Sequence, residues 1–534
     1  MSAGAGAPLT VRIEPWGPNA AALDAAAGTA LGSARVRRLL DGRRSRVISQ
    51  ALVGPDLDPR RRPAQPRDFR AAVYDYDEDR LLQVEGRLDR PREASVRELA
   101  AQPLPSGEEF AAAVGVIRDD PELGPPLRDG RLVPYRPMPP LVPAERPDGV
   151  PERVVAVGLR PAGHEPAHEI VGVSLSREAV LRQDGGAPPA ARALAAICGP
   201  ADAGQPTTAR GTPGSARITV SRGGTTLWRM IVLRPAASSG TNGSGVELRM
   251  VDYRGRRVLR RAHVPILNVR YDGDACGPYR DWQWQEGQFH AVGTDQAPGF
   301  RLCTAPATTL LEGGDDVGTF AGVAVWTEGE ECVLVSELEA GWYRYISQWR
   351  LHADGTIRPR FGFAAVQSSC VCNVHHHHAY WRLNFDIGSA AHNRLEEWND
   401  PPGPRAGAWR TQRFEARRPR ADDWGRKWRV TDVGSGRGYE IVPGAEDGAA
   451  DTAFGLGDLW VVRLRPNQID DGQGFTTDPA LARAHIDRFV NGERVDDGDI
   501  VVWYAGHFSH DIQHDTGPEH GHIVGPDLRP VSWA

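Results

Sequence analysis

The sequence predicts a mainly β protein, with a large C-terminal β-sandwich catalytic domain preceded by two small α+β domains. Three observations carry that expectation. Glycine and proline number 60 and 43 in 534 residues, which favours short strands joined by tight turns. From Arg217 onward, β-branched and aromatic runs recur at short, regular spacing between turn residues. Ahead of that point the chain twice reads as a helix followed by a hairpin.

The first helix-plus-hairpin unit covers residues 1–105, with a helix expected over 20–52 and strands over 70–76 and 80–86. The second covers 106–198. It opens at Ser106, with Glu109 three residues on, the pattern of a capping box, and its helix is expected to reach Val116. A proline-rich stretch over 134–151 then leads to strands at 153–159 and 169–175. Residues 199–215 are poor in apolar side chains and read as a linker. The sandwich occupies 216–534, with strands expected at 218–220, 227–233, 246–251, 258–264, 323–326, 332–335, 342–352, 459–464 and 500–504.

Composition narrows the partners. A hydrophobic content of 40% is ample for a sizeable core, and a net charge of −6 without long runs argues against nucleic-acid or membrane surfaces. No stretch approaches the ~18 apolar residues of a membrane span, and the opening residues lack a basic-then-apolar secretory pattern. A soluble, cytoplasmic protein is the expectation. Six cysteines (198, 276, 303, 332, 370 and 372) are too few for a disulfide framework at this length. That leaves room for one buried bridge among Cys276, Cys303 and Cys332, with Cys370 and Cys372 expected to be reduced.

The chemistry is concentrated in four consecutive histidines, His375 to His378, which open a strand-like run continuing to Ile387. Side chains alternate faces on a strand, so His375 and His377 point one way and His376 and His378 the other. Two imidazoles on one face of a rigid strand form half of a metal site, and a further ligand must come from elsewhere in the chain.

Three stretches resemble the copper amine oxidases. Trp342-Tyr343-Arg344-Tyr345, followed by Asp354-Gly355-Thr356-Ile357, resembles the family's Asn-Tyr-Asp/Glu-Tyr strand and the turn after it. His375-x-His377 resembles its paired copper histidines. Asp499-Ile500-Val501-Val502-Trp503-Tyr504, with His510 seven residues past the tryptophan, resembles the segment that supplies the third. The resemblance implies copper on His375, His377 and His510. It also implies a topaquinone made from Tyr343, with Tyr271 hydrogen-bonded to it, and a homodimer that consumes O2 and a small-molecule substrate. A second, structural cation such as calcium would fall to Asn384, Asp386 and Asp499, with backbone oxygens of Phe385 and Ile500.

The organic half departs from the family pattern. Trp342 replaces the flanking asparagine, Arg344 replaces the acid, and Gln285 stands where the family's proton-abstracting aspartate is expected. An amide accepts no proton at neutral pH, and general base catalysis is worth ~10²–10⁴ in rate. Glu286 is adjacent, but on a strand it faces the other way. The reading is therefore a copper-dependent oxidase with divergent chemistry. The alternatives are a conventional topaquinone amine oxidase, in which Glu286 or a water chain serves as base, and a non-catalytic copper-binding scaffold.

Overall fold

The computed structural model describes residues 7–53, 64–99, 101–137, 140–146, 148–162, 169–182, 198–206, 208–274, 276–368, 370–399, 407–421, 424–451, 453–510 and 522–533. Among these, strands dominate. They form a ten-stranded and a twelve-stranded sheet packed face to face, plus two separate four-stranded sheets. The mainly β class is as expected from the turn-rich sequence, and each strand anticipated in the sandwich forms.

The first small unit packs helix Ala20–Leu31 across a four-stranded antiparallel sheet, burying Leu23, Ala26, Ala27 and Ala30 against Phe69, Ala71 and Val84. The long helix expected over 20–52 is instead two helices and a strand, Ala20–Leu31, Ala34–Leu40 and Ser45–Val53. Ser33 breaks it, because its extended backbone and side chain cap the second helix, and Gly42, at φ 74°, turns the chain into the strand. In the second unit, helix Gly107–Asp119 carries the Ser106–Glu109 capping box and lays Ala113, Val114 and Ile117 on another four-stranded sheet. The chain's opening differs from the expected division. Strand Leu9–Pro15 pairs along its whole length with Ser215–Arg222 and forms the edge of the ten-stranded sheet.

Six strands build the site and are labelled here: β1 (Arg256–Tyr271), β2 (Glu331–Ala340), β3 (Tyr343–His352), β4 (Ile357–Ala365), β5 (His375–Phe385) and β6 (Ile500–His510). β5 lies between β1 and β6 in one sheet, and β3 lies between β2 and β4 in the other. The inward faces of β5 and β3 therefore meet across the sandwich core.

The cysteines differ from expectation. Cys198 is bonded to Cys372 and Cys276 to Cys370, while Cys303 and Cys332 are free and buried. The cause is strand register. β1 and β5 pair Tyr271 with His375, so Cys276 and Cys370, each five residues outside that pair, are brought together. Cysteine count alone says nothing of that register.

Candidate metal centre

His375 and His377 are buried and point into the core between the sheets, as alternation requires. His510 stands directly opposite His375 in the β5–β6 ladder and is buried on the same face. The His375 ring lies 4.9 Å, centroid to centroid, from both His377 and His510. The other two histidines face away: His376 is half-exposed and bonded to Asp272, whereas His378 is buried against His507 and Phe454.

Hydrogen bonding fixes the tautomer of His375. Nδ1 of His375 lies 2.6 Å from the Asn373 carbonyl, which can only accept, so Nδ1 carries the proton. Nδ1 of His377 lies 3.3 Å from the Tyr345 hydroxyl, whose own proton goes to Asp281 at 2.6 Å. Both Nε2 atoms are buried and, among the described residues, without a hydrogen-bond partner. Burial, reinforced by neighbouring imidazoles, drives the His377 imidazole far below its usual range and His375 down to about 3, so both stay neutral at physiological pH. Neutral imidazole is the form that binds a metal. Among the described residues, no three His, Cys, Asp or Glu side chains are closed to an ion-holding arrangement as they stand. The donor set nevertheless suits a borderline-soft transition metal. Buried nitrogens left without a partner among the described residues call for an explanation, and a metal supplies one.

Tyr343 opens β3 on the same inward face, fully buried, its ring 4.9 Å from His377 and 5.8 Å from His375. Its hydroxyl is hydrogen-bonded to that of Tyr271, which also accepts from Trp342 Nε1 at 3.0 Å. Burial holds both phenols protonated. Tyr343, Tyr271 and Trp342 thus gather beside the histidines.

The remaining candidates diverge from the Tyr343 ring. Arg344 points to the opposite face of β3, where it is buried in a two-pronged pair with Asp316 at 2.7 and 3.0 Å. Glu286 is buried against the Arg234 guanidinium, 2.8 Å from its Nε, and accepts from the Ala236 amide at 3.1 Å. It is an ion-paired structural carboxylate rather than a spare base. Gln285 runs alongside β2, its carbonyl accepting from Glu339 N at 2.9 Å. It lines a narrow cleft with Phe110, Arg136, Trp282 and Trp284.

Asn384, Asp386 and Asp499 do come together, and one of them faces a guanidinium. Arg260 donates to Asp386 at 2.8 Å. Asn384 turns its amide nitrogen, a donor, to Asp499 and to the Ile500 carbonyl, each at 3.1 Å. A hard cation needs oxygens converging on it. Here one carboxylate faces a guanidinium and the other an amide donor, while Asp386 Oδ1 is buried without a hydrogen-bond partner among the described residues.

Sequence reading missed Asp281, Arg260 and both disulfides. Asp281 carried a faint signal, a lone acid among aromatic residues, but its contact with Tyr345 comes from a distant strand.

No family model matches the sequence, and no curated protein does. Solved structures do match. A copper-containing benzylamine oxidase from Hansenula polymorpha aligns over 97% of this chain and 98% of its own, at 13% identity and a TM-score of 0.57. An amine oxidase from Aspergillus nidulans aligns over 99% and 91%, at 13% identity and a TM-score of 0.54. The fold is that of the copper amine oxidases. At 13% identity the likeness is one of architecture, and the amine-oxidase fold by itself assigns no chemistry.

Proposed function

We propose that the chain is a copper-dependent oxidoreductase built on the amine-oxidase fold, with His375, His377 and His510 as ligands beside Tyr343. The observation that carries this reading is the pair of buried Nε2 atoms on His375 and His377, unpartnered among the described residues, on rings 5.8 and 4.9 Å from that of Tyr343. Copper on imidazoles would supply one-electron chemistry with O2. The chain's own part is to keep two imidazoles neutral and aimed, to exclude water from Tyr343, and to hold the Tyr343 hydroxyl against Tyr271.

The substrate is a small molecule, and its oxidation departs from the base-assisted amine chemistry of the family. Gln285 cannot take a proton, and Glu286 is committed to Arg234. One arrangement favours the conventional topaquinone reading, the Tyr271–Tyr343 hydrogen bond beside the histidines. A bare copper scaffold has no use for that bond. The two disulfides favour an oxidising compartment over the cytoplasm.

Reconstitution with copper tests this directly. One equivalent of bound Cu(II) with a nitrogen-rich spin-resonance spectrum is expected, lost in His375→Ala and His377→Ala. Intact mass of the peptide containing Tyr343, with phenylhydrazine colour, separates an unmodified tyrosine from a quinone. Oxygen uptake across panels of amines and phenols then distinguishes the oxidase from the scaffold. Protein that takes up no copper would sink the proposal.

A further inference from the structure

We propose that Asp281 and Tyr345 form a hydrogen-bonded relay that sets the tautomer of His377 and balances the charge of a metal bound at its Nε2. Asp281 is then a positioning residue, acting through Tyr345, and the inference rests on the copper reading above.

The relay runs one way. With Asp281 ionised, its carboxylate only accepts, so the Tyr345 proton lies on the 2.6 Å contact to Asp281 Oδ2. The Tyr345 oxygen is left to accept from His377 Nδ1 at 3.3 Å. The reverse order, with a protonated Asp281 donating to Tyr345 and Tyr345 to Nδ1, would place the His377 proton on Nε2. That atom is buried with nothing to receive it, and an unsatisfied buried donor costs about 1–3 kcal/mol. The forward order leaves a lone pair there instead, which a metal can use.

Asp281 also lacks its own counter-charge. It is fully buried, and its Oδ1 has no hydrogen-bond partner among the described residues. The adjacent Arg280 guanidinium is turned to Asp471, with two contacts of 2.8 Å. Burial raises the Asp281 carboxyl to about 7. Carboxylates that orient metal-binding histidines through a shared hydrogen bond strengthen the ligand and offset cationic charge. Here the tyrosine is the intermediary.

The same sandwich contains an internal reference. Tyr504 donates to the Asp447 carboxylate in a second buried tyrosine–aspartate pair, whose other hydrogen-bond partners among the described residues are Arg420 and the Gly444 and Gly525 amides, not a histidine. Tyr345→Phe, Asp281→Asn, their double variant and Tyr504→Phe should be compared in full-length copper-loaded protein. The measurements are Cu(II) affinity by chelator competition and the spin-resonance spectrum. Each relay variant is expected to bind copper about 10–100-fold more weakly with altered hyperfine coupling. The double variant should be no weaker than the worse single, and Tyr504→Phe should match wild type. Wild-type affinity and spectrum in both relay variants, or losses that add in the double, would overturn the relay. If Tyr345→Phe does not fold, Asp281→Asn against Tyr504→Phe decides the matter alone. Failure of the wild type itself to bind copper would instead strike the underlying copper reading.

Discussion

Glu337, on the outward face of β2, accepts from the Leu310 amide at 2.6 Å and is otherwise enclosed by protein. Burial raises its carboxyl from 4.5 to about 8. Between those values the folded chain keeps a proton that the unfolded chain releases, so folded stability falls as pH rises through that window. Glu337→Gln cannot ionise and should lack this contribution. The wild type is expected to lose stability relative to the variant from about pH 5 to about pH 8, at up to about 1.4 kcal/mol per pH unit, by urea midpoints. Equal slopes would show that Glu337 stays ionised. At this scale the sequence was legible where strand alternation decides. His375 and His377 face inward together, and Arg344 turns away from Tyr343 because neighbours on a strand oppose. Alternation says nothing of partners from distant segments. That is why Arg260 beside Asp386, and Asp281 beneath Tyr345, could not be read.

Among the elements, β5 is the one whose placement matters most for the site. It is clamped just before His375 by two disulfides, one to Cys276 beyond the end of β1 and one to Cys198. The bridges span 174 and 94 residues. In a chain-entropy view each contributes about 2–5 kcal/mol. Reduction, or paired Cys370→Ser and Cys372→Ser substitution, is expected to lower the melting temperature and to weaken copper binding by loosening the His375 end of the strand. Calorimetry and chelator competition under oxidising and reducing conditions test both effects, and unchanged copper affinity after reduction would show that the clamp is irrelevant to the site. The strands of the sandwich were legible from β-branched runs between glycine turns. The helix expected over 20–52 was misjudged because Arg46 to Val53 carries enough aliphatic residues to imitate a helical face, and only Ser33 and Gly42 mark the breaks.

Over the whole molecule, the likeness to two fungal amine oxidases covers nearly the full chain while sequence identity is 13%. The architecture was recoverable because the spacing of the histidine pair, the Tyr343 strand and the Asp499–His510 segment resembles the family's. Most other positions have drifted, and in a β-sandwich they need only keep inward residues apolar. A homodimer is our proposal for the assembly. Sedimentation should give twice the 58.1 kDa chain mass, and a concentration-independent single-chain mass would refute it. A last consequence follows from the pairing of Leu9–Pro15 with Ser215–Arg222. The ribosome releases the first of these strands some two hundred residues before its mate, so both small units must take shape inside an open loop whose ends have yet to meet. Any fragment begun after those units would leave Ser215–Arg222 as a bare rim of unsatisfied amides, inviting a neighbouring copy to supply the absent strand.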